Sequence, residues 1–143
     1  MASSAPRRQR RLTPAQLALH GEALTAVVLA SLAIRLLPFR RVVAARAARP
    51  GSAGRGQADL PRLRAAVRAW CRRVPWRAKC FESAVALRAM LARRGVASTL
   101  HYGITNDGGL SAHVWLSVDG ETVLGGVEAA AFAEVAAFST SNK

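Results

Sequence analysis

The chain has 143 residues, of which 51% are apolar, and its net charge of +13 comes almost wholly from arginine. This length fits one domain with an added helical segment, and the apolar fraction is sufficient for a core. Two cysteines are too few for a disulfide framework, which favours a reducing, cytoplasmic compartment. The positive charge is compatible with a nucleic acid, an anionic membrane surface or an acidic polypeptide as partner.

Shifts in composition divide the chain into five segments. Residues 1–12 are polar and basic, and they are predicted to be a disordered tail. Residues 13–50 form an N-terminal helical region, and residues 51–58 have the composition of a linker. Residues 59–138 carry the periodic patterns of a folded core, and residues 139–143 are predicted to be a polar tail.

A long apolar helix is predicted to begin at Pro14, a residue suited to the first helical position, and to end before Pro38, with a break at Gly21. Its apolar run, Ala23–Ile34, is shorter than the roughly 20 residues that span a bilayer, and Arg35 closes it. We therefore expect a buried helix rather than a membrane span. Basic residues on both sides of the run leave peripheral membrane contact as an alternative.

The stretch 77–95 is predicted to be a helix with a cysteine in its first turn. Its apolar residues largely recur at spacings of three and four, and Gly95 is suited to the C-cap. The positive end of the helix dipole therefore lies at Cys80, where it favours a reactive thiolate. The alternative is that Cys80 is a small buried hydrophobic residue. Cys71 lies on the apolar stripe of the preceding helix, which begins after Asp59, and we interpret it as part of the core.

After this helix the apolar period changes from 3.6 to 2, which predicts three strands, at 96–104, 112–118 and 121–124. Asp119-Gly120 is typical of a two-residue hairpin turn. The alanine-rich residues 128–138 predict a short closing helix. The fold class is therefore α+β, with N-terminal helices followed by a cysteine-bearing helix packed on a small antiparallel sheet.

The order of helix and strands places Cys80 before a strand that bears His113. This is the layout of papain-like and transglutaminase-like cysteine enzymes, in which a thiolate attacks a carbonyl and an imidazole transfers the proton. Amides at the helix start are suited to stabilise the oxyanion. We therefore predict that Cys80 and His113 are catalytic.

Four stretches carry a resemblance to a known family: 36–41 (LLPFRR), 74–84 (VPWRAKCFESA), 91–96 (LARRGV) and 112–120 (AHVWLSVDG). In these stretches the chain resembles the lasso peptide leader peptidases, a transglutaminase-like family of cysteine proteases. The small size is similar to the stand-alone protease half of a split maturation protein. The resemblance implies removal of the leader from a ribosomally made precursor peptide. It also implies a separate leader-recognition protein and an ATP-dependent lasso cyclase as partners, and no cofactor.

The third catalytic residue is left open by the sequence. The resemblance implies an aspartate on the strand after His113, but a two-residue turn places His113 opposite Gly126, so Gly125 or Gly126 stands where the carboxylate is expected. Asp119 is roughly 20 Å along the strand at about 3.3 Å per residue, and we interpret it as a turn former. The remaining candidates are Glu128, Asp107 and a backbone carbonyl.

Three other interpretations are weaker. His101, on the neighbouring strand, is a candidate to line the site. Metal binding is not predicted, since the spacing of Cys80, His101 and His113 matches no known ligand pattern. Nucleic-acid binding is not predicted, because a single tyrosine and no helix-turn-helix pattern accompany the arginines.

A catalytically degenerate scaffold in a peptide-maturation complex is the main alternative to a peptidase.

Overall fold

A computed structural model describes residues 11–44 and 59–140 of the chain. The helices are α1 Pro14–Leu36, α2 Phe39–Val43, α3 Leu60–Arg73, α4 Cys80–Arg93 and α5 Gly126–Ala129. The strands are β1 Thr99–Thr105, β2 Ser111–Val118, β3 Glu121–Leu124 and β4 Ala133–Ser139. The α+β class is confirmed. The helix predicted over 77–95 is α4, which begins at Cys80, three residues later than predicted.

α1 is the longest helix, and its start is set by a capping box. The Thr13 hydroxyl accepts from the Gln16 amide at 3.3 Å, and the Gln16 side chain accepts from the Thr13 amide at 2.9 Å. The helix runs through Gly21 without the predicted break, since one glycine costs only about 1 kcal/mol in a helix interior. By length and composition alone, α1 is apolar enough to cross a membrane.

One hydrophobic cluster joins the N-terminal helix to the rest of the protein. It contains Val27 of α1, Val67 of α3, Leu87 of α4, Leu100 of β1 and Leu116 of β2, each at most 1% exposed. α1 therefore shares its core with the segment that bears the predicted site. The predicted linker, the first ten residues of the basic tail and the last three residues lie outside the described residues.

The sheet has the order β3-β2-β1-β4, and every neighbouring pair is antiparallel. The predicted closing helix over 128–138 is wrong, because most of it is β4, which pairs with β1 from Thr99↔Ser139 to Ile104↔Ala133. Alanine gives a weak strand signal, and tertiary pairing decides its conformation here. The predicted tail also begins too early. Ser139 ends β4, and the buried Thr140 hydroxyl accepts from the Ser98 amide at 2.9 Å.

The hairpin between β2 and β3 turns at Asp119 and Gly120, which both have positive φ, as a type I′ turn requires. Val118 pairs with Glu121 as predicted. The register then shifts by one residue, so that Leu116 pairs with Leu124. β3 ends there, and the predicted position of Gly126 opposite His113 is wrong.

The two faces of the sheet have different roles. Leu100 and Leu116 are directly opposite each other and belong to the core cluster that α4 joins. Successive residues of a strand point to opposite faces. His113 and Trp115 therefore lie on the other face, together with His101, which pairs with Trp115.

Candidate active site

Cys80 is the first residue of α4, and local hydrogen bonds fix this helix start. The Glu82 carboxylate accepts from the Lys79 amide at 2.8 Å, so the N-cap amide is satisfied. The Ser83 hydroxyl donates to the Cys80 carbonyl at 2.9 Å. The thiol belongs to a half-buried residue at the positive end of the helix dipole. The predicted placement of Cys80 in the first turn is confirmed.

The second cysteine has an environment that disfavours its thiolate. Cys71 lies in α3 and packs against the hydrophobic core. Burial raises the pKa of the Cys71 thiol to about 11, and the negative charge of Glu82 adds to this effect. Cys71 therefore stays a thiol near neutral pH, which agrees with its interpretation as a core residue.

His113 lies on β2 and is only 9% exposed. Its Nε2 atom is 2.9 Å from the carbonyl oxygen of Gly125. A carbonyl only accepts hydrogen bonds, so Nε2 carries the proton of the neutral ring and Nδ1 carries the lone pair. The fixed tautomer therefore leaves Nδ1 as the basic atom of His113.

The three candidate carboxylates are placed differently around His113. Glu128 lies in α5, and its Oε2 atom is 3.9 Å from Nε2 of His113. The chain after β3 therefore turns back toward His113, as the assignment of Glu128 as the third residue requires. Asp119 lies in the hairpin turn, and the Asp107 amide donates to the hydroxyl of Thr105 in the turn before β2. Within the described ranges, no hydrogen bond or ion pair joins either aspartate to His113.

Gly125 cannot be replaced by a carboxylate without displacing its neighbours. Its φ of 77° lies in the left-handed region that favours glycine. A Cβ atom there would be 2.9 Å from the carbonyl oxygen of Val114 and 3.1 Å from Nε2 of His113. The backbone carbonyl of Gly125, rather than a side chain, is the hydrogen-bond partner of the His113 ring at 2.9 Å.

A second histidine, with its own partners, shares the face of the sheet that bears His113. The Trp115 ring stacks on His101 at 5.4 Å between centroids and on His113 at 6.1 Å. His101 places Nδ1 2.8 Å from the carboxylate of Glu134 and Nε2 2.7 Å from the hydroxyl of Ser117. Sequence analysis included His101 but missed Glu134, because β4 was predicted to be a helix. Glu134 lies near His101 because β4 pairs with β1, so a correct prediction of that strand pairing would have identified it.

The structure places the two predicted catalytic residues on different elements and does not join them directly. Cys80 begins a helix that packs on the core face of the sheet, whereas His113 belongs to the opposite face. In residues 11–44 and 59–140, no hydrogen bond links the Cys80 thiol to the His113 imidazole. Because the two residues belong to opposite faces of the sheet, the described structure does not show them as a hydrogen-bonded catalytic pair.

The same described residues contain no group of three histidine, cysteine or acidic side chains able to hold a metal ion. Cys80, His113 and the first turn of α4 supply a thiol, an imidazole and helix-start amides. These are the groups of nucleophilic acyl transfer.

Comparison with known proteins gives one match. The family model described as the transglutaminase-like superfamily matches residues 23–137, which is more than half of the chain and includes Cys80 and His113. No curated protein and no solved structure matches the chain.

Proposed function

Because this chain belongs to the transglutaminase-like superfamily, we propose that it is a cysteine peptidase with Cys80 as the nucleophile and His113 as the base. The observation that carries the proposal is the position of Cys80 as the first residue of α4. A helix start supplies backbone amides that are suited to stabilise the oxyanion of the reacting carbonyl. His113 supports it, since its tautomer leaves Nδ1 free to accept a proton.

The reaction proceeds in two steps. The Cys80 sulfur attacks the scissile carbonyl carbon while His113 takes the thiol proton, and the helix-start amides hold the oxyanion. The peptide C–N bond then breaks, His113 returns the proton to the leaving amine, and a thioester remains on Cys80. His113 next takes a proton from water, the hydroxide attacks the thioester, and the thiol is restored. The Gly125 carbonyl and the Glu128 carboxylate stabilise the imidazolium in both steps.

The substrate that we propose is the precursor of a lasso peptide, cut between leader and core. The four stretches that resemble the leader peptidases support this assignment, since two of them contain Cys80 and His113. The same resemblance supports a leader-recognition protein and an ATP-dependent cyclase as partners, and the two cysteines favour a cytoplasmic compartment. An acidic leader or partner would complement the net charge of +13.

Cleavage of the precursor peptide by the purified protein, with its leader-recognition partner present, tests the proposal. We expect Cys80→Ala and His113→Ala to abolish release of the leader. The matched control is Cys71→Ala, which removes the other thiol and should retain cleavage. Cleavage that survives Cys80→Ala in a folded protein would rule out this mechanism.

A non-catalytic scaffold is the second candidate, and one observation favours it. The thiol of Cys80 and the imidazole of His113 share no hydrogen bond in the described structure. If the wild-type protein binds the precursor and its partner proteins but releases no leader, the scaffold is correct. If Cys80→Ala keeps that binding and loses only cleavage, the peptidase is correct.

A further inference from the structure

The side of α1 that faces away from the core is apolar. Leu29, Leu32 and Leu36 recur at spacings of three and four, so they lie along one side of the helix. They are 59%, 46% and 76% exposed, whereas Val27 on the opposite side is fully buried. We call these three residues the leucine row. Single exposed leucines are common on protein surfaces, but a contiguous row marks an interaction site.

An apolar groove of about 270 Å³ continues the leucine row toward α4. The residues that line the groove are Glu22, Thr25, Ala26, Leu29, Ala30, Ala33, Val85, Ala89, Met90 and Arg93. Its two charged members form an ion pair with each other, at 3.8 Å. The Thr25 hydroxyl donates to the carbonyl of Gly21 at 2.9 Å. The polar groups of the groove are thus engaged within the protein, and the groove offers mainly hydrocarbon to an occupant.

Basic side chains border the C-terminal end of the leucine row. Arg35, Arg40 and Arg41 are exposed, together with the intervening Leu37 and Phe39. From α1 to the end of α2 the only acidic residue is Glu22, which pairs with Arg93 at the end of α4 and with Arg94, the C-cap that follows it. This part of the surface therefore combines hydrocarbon with unbalanced positive charge.

We propose that the leucine row and its basic border dock the protein on the surface of an anionic lipid bilayer. Leucine side chains enter the boundary of the acyl chains, and the three arginines bind headgroup phosphates. A bilayer matches both parts of this surface, because its acyl boundary accepts the leucine side chains and its headgroup phosphates accept the arginines.

Docking on the surface, rather than spanning, follows from the contacts of α1. Trp76 donates from Nε1 to the Ser31 hydroxyl at 2.9 Å, and Arg94 binds the Glu22 carboxylate at 2.6 Å. Val27 and its neighbours lie in the shared core. A spanning α1 would break these contacts and unfold the domain, so α1 lies in the plane of the interface.

Flotation of the full-length protein with lipid vesicles tests the inference. We expect binding to phosphatidylcholine vesicles that contain phosphatidylglycerol, and weaker binding to pure phosphatidylcholine or at high salt. Leu36→Glu should reduce binding about tenfold or more. Leu110→Glu is the matched control, because Leu110 is 81% exposed outside the leucine row and should bind like wild type. Arg40→Gln with Arg41→Gln should reduce binding only to the anionic vesicles.

Four results would overturn the inference. The first is no flotation of the wild-type protein with anionic vesicles. The second is equal loss for Leu36→Glu and Leu110→Glu, which would mean that any added charge weakens binding. The third is resistance to an alkaline carbonate wash, which would identify α1 as a membrane span. If Leu36→Glu leaves flotation intact but abolishes binding to the leader-recognition protein, the row is a protein interface instead.

Discussion

Replacing Gly125 with alanine should destabilise the protein and disturb His113 at the same time. The φ of 77° alone costs an L-residue about 1–2 kcal/mol. The added Cβ would also meet the backbone oxygen of Val114 at 2.9 Å, and a backbone atom cannot turn aside as a flexible side chain can. Overpacking of this kind costs a further 1–3 kcal/mol or so. We therefore expect Gly125→Ala to lower the free energy of unfolding by about 2–5 kcal/mol.

Gly108 provides a matched control for this substitution. Its φ of 78° is nearly the same, but no atom lies within 4 Å of the position that a Cβ would take. Gly108→Ala should therefore cost only the backbone strain, about 1–2 kcal/mol. Chemical denaturation of both variants measures the difference, and precursor cleavage by the protein that remains folded shows whether His113 is displaced. Equal stability and equal cleavage for the two variants would refute the role assigned to Gly125.

Three further predictions concern groups whose ionisation the fold alters. Because burial raises the pKa of Cys71 to about 11, roughly one Cys71 thiol in a thousand is ionised near pH 8, and iodoacetamide should modify Cys80 first. Mass spectrometry of the digested protein measures the order of modification, and faster modification of Cys71 would contradict the prediction. The hydrogen bond from Arg94 lowers the pKa of Glu22, so the ion pair stabilises the fold at pH values above the usual glutamate pKa, and this stabilisation is lost as the pH falls through the lowered pKa. In thermal melts, Glu22→Gln should therefore be less stable than wild type at neutral pH and should lose less stability in acid. Burial lowers the pKa of Arg88 to about 10, yet its guanidinium donates to two backbone carbonyls at 3.0 and 3.1 Å. Arg88→Ala should therefore lower the free energy of unfolding by about 2–5 kcal/mol, and an unchanged midpoint of chemical denaturation would refute this.

The elements with strong local signals were predictable from the sequence. Thr13-Pro14 marks the start of α1, the apolar period marks α4, and Asp119-Gly120 marks the hairpin. The placement of Cys80 in the first turn of α4 followed from the same pattern, but the helix begins three residues after the predicted start at residue 77, because Arg77 has a positive φ of 50°.

The parts that depend on distant contacts were not predictable in the same way. β4 consists largely of alanine, and its pairing with β1 decides its conformation. The register shift after Leu116 leaves no trace in the residue pattern, so the neighbourhood of His113 was misplaced by one residue. A backbone carbonyl was one of several alternatives, but the sequence did not indicate that it belongs to Gly125, because a backbone partner has no side chain to mark it.

The central claim is that Cys80 attacks the precursor peptide. The most direct measurement is the intact mass of the protein after rapid acid quenching of a reaction with the precursor and the leader-recognition partner. The account predicts a thioester of the leader on Cys80 of the wild-type protein and no adduct on Cys80→Ala. Release of the leader by Cys80→Ala at the wild-type rate, with no adduct on either protein, would contradict it.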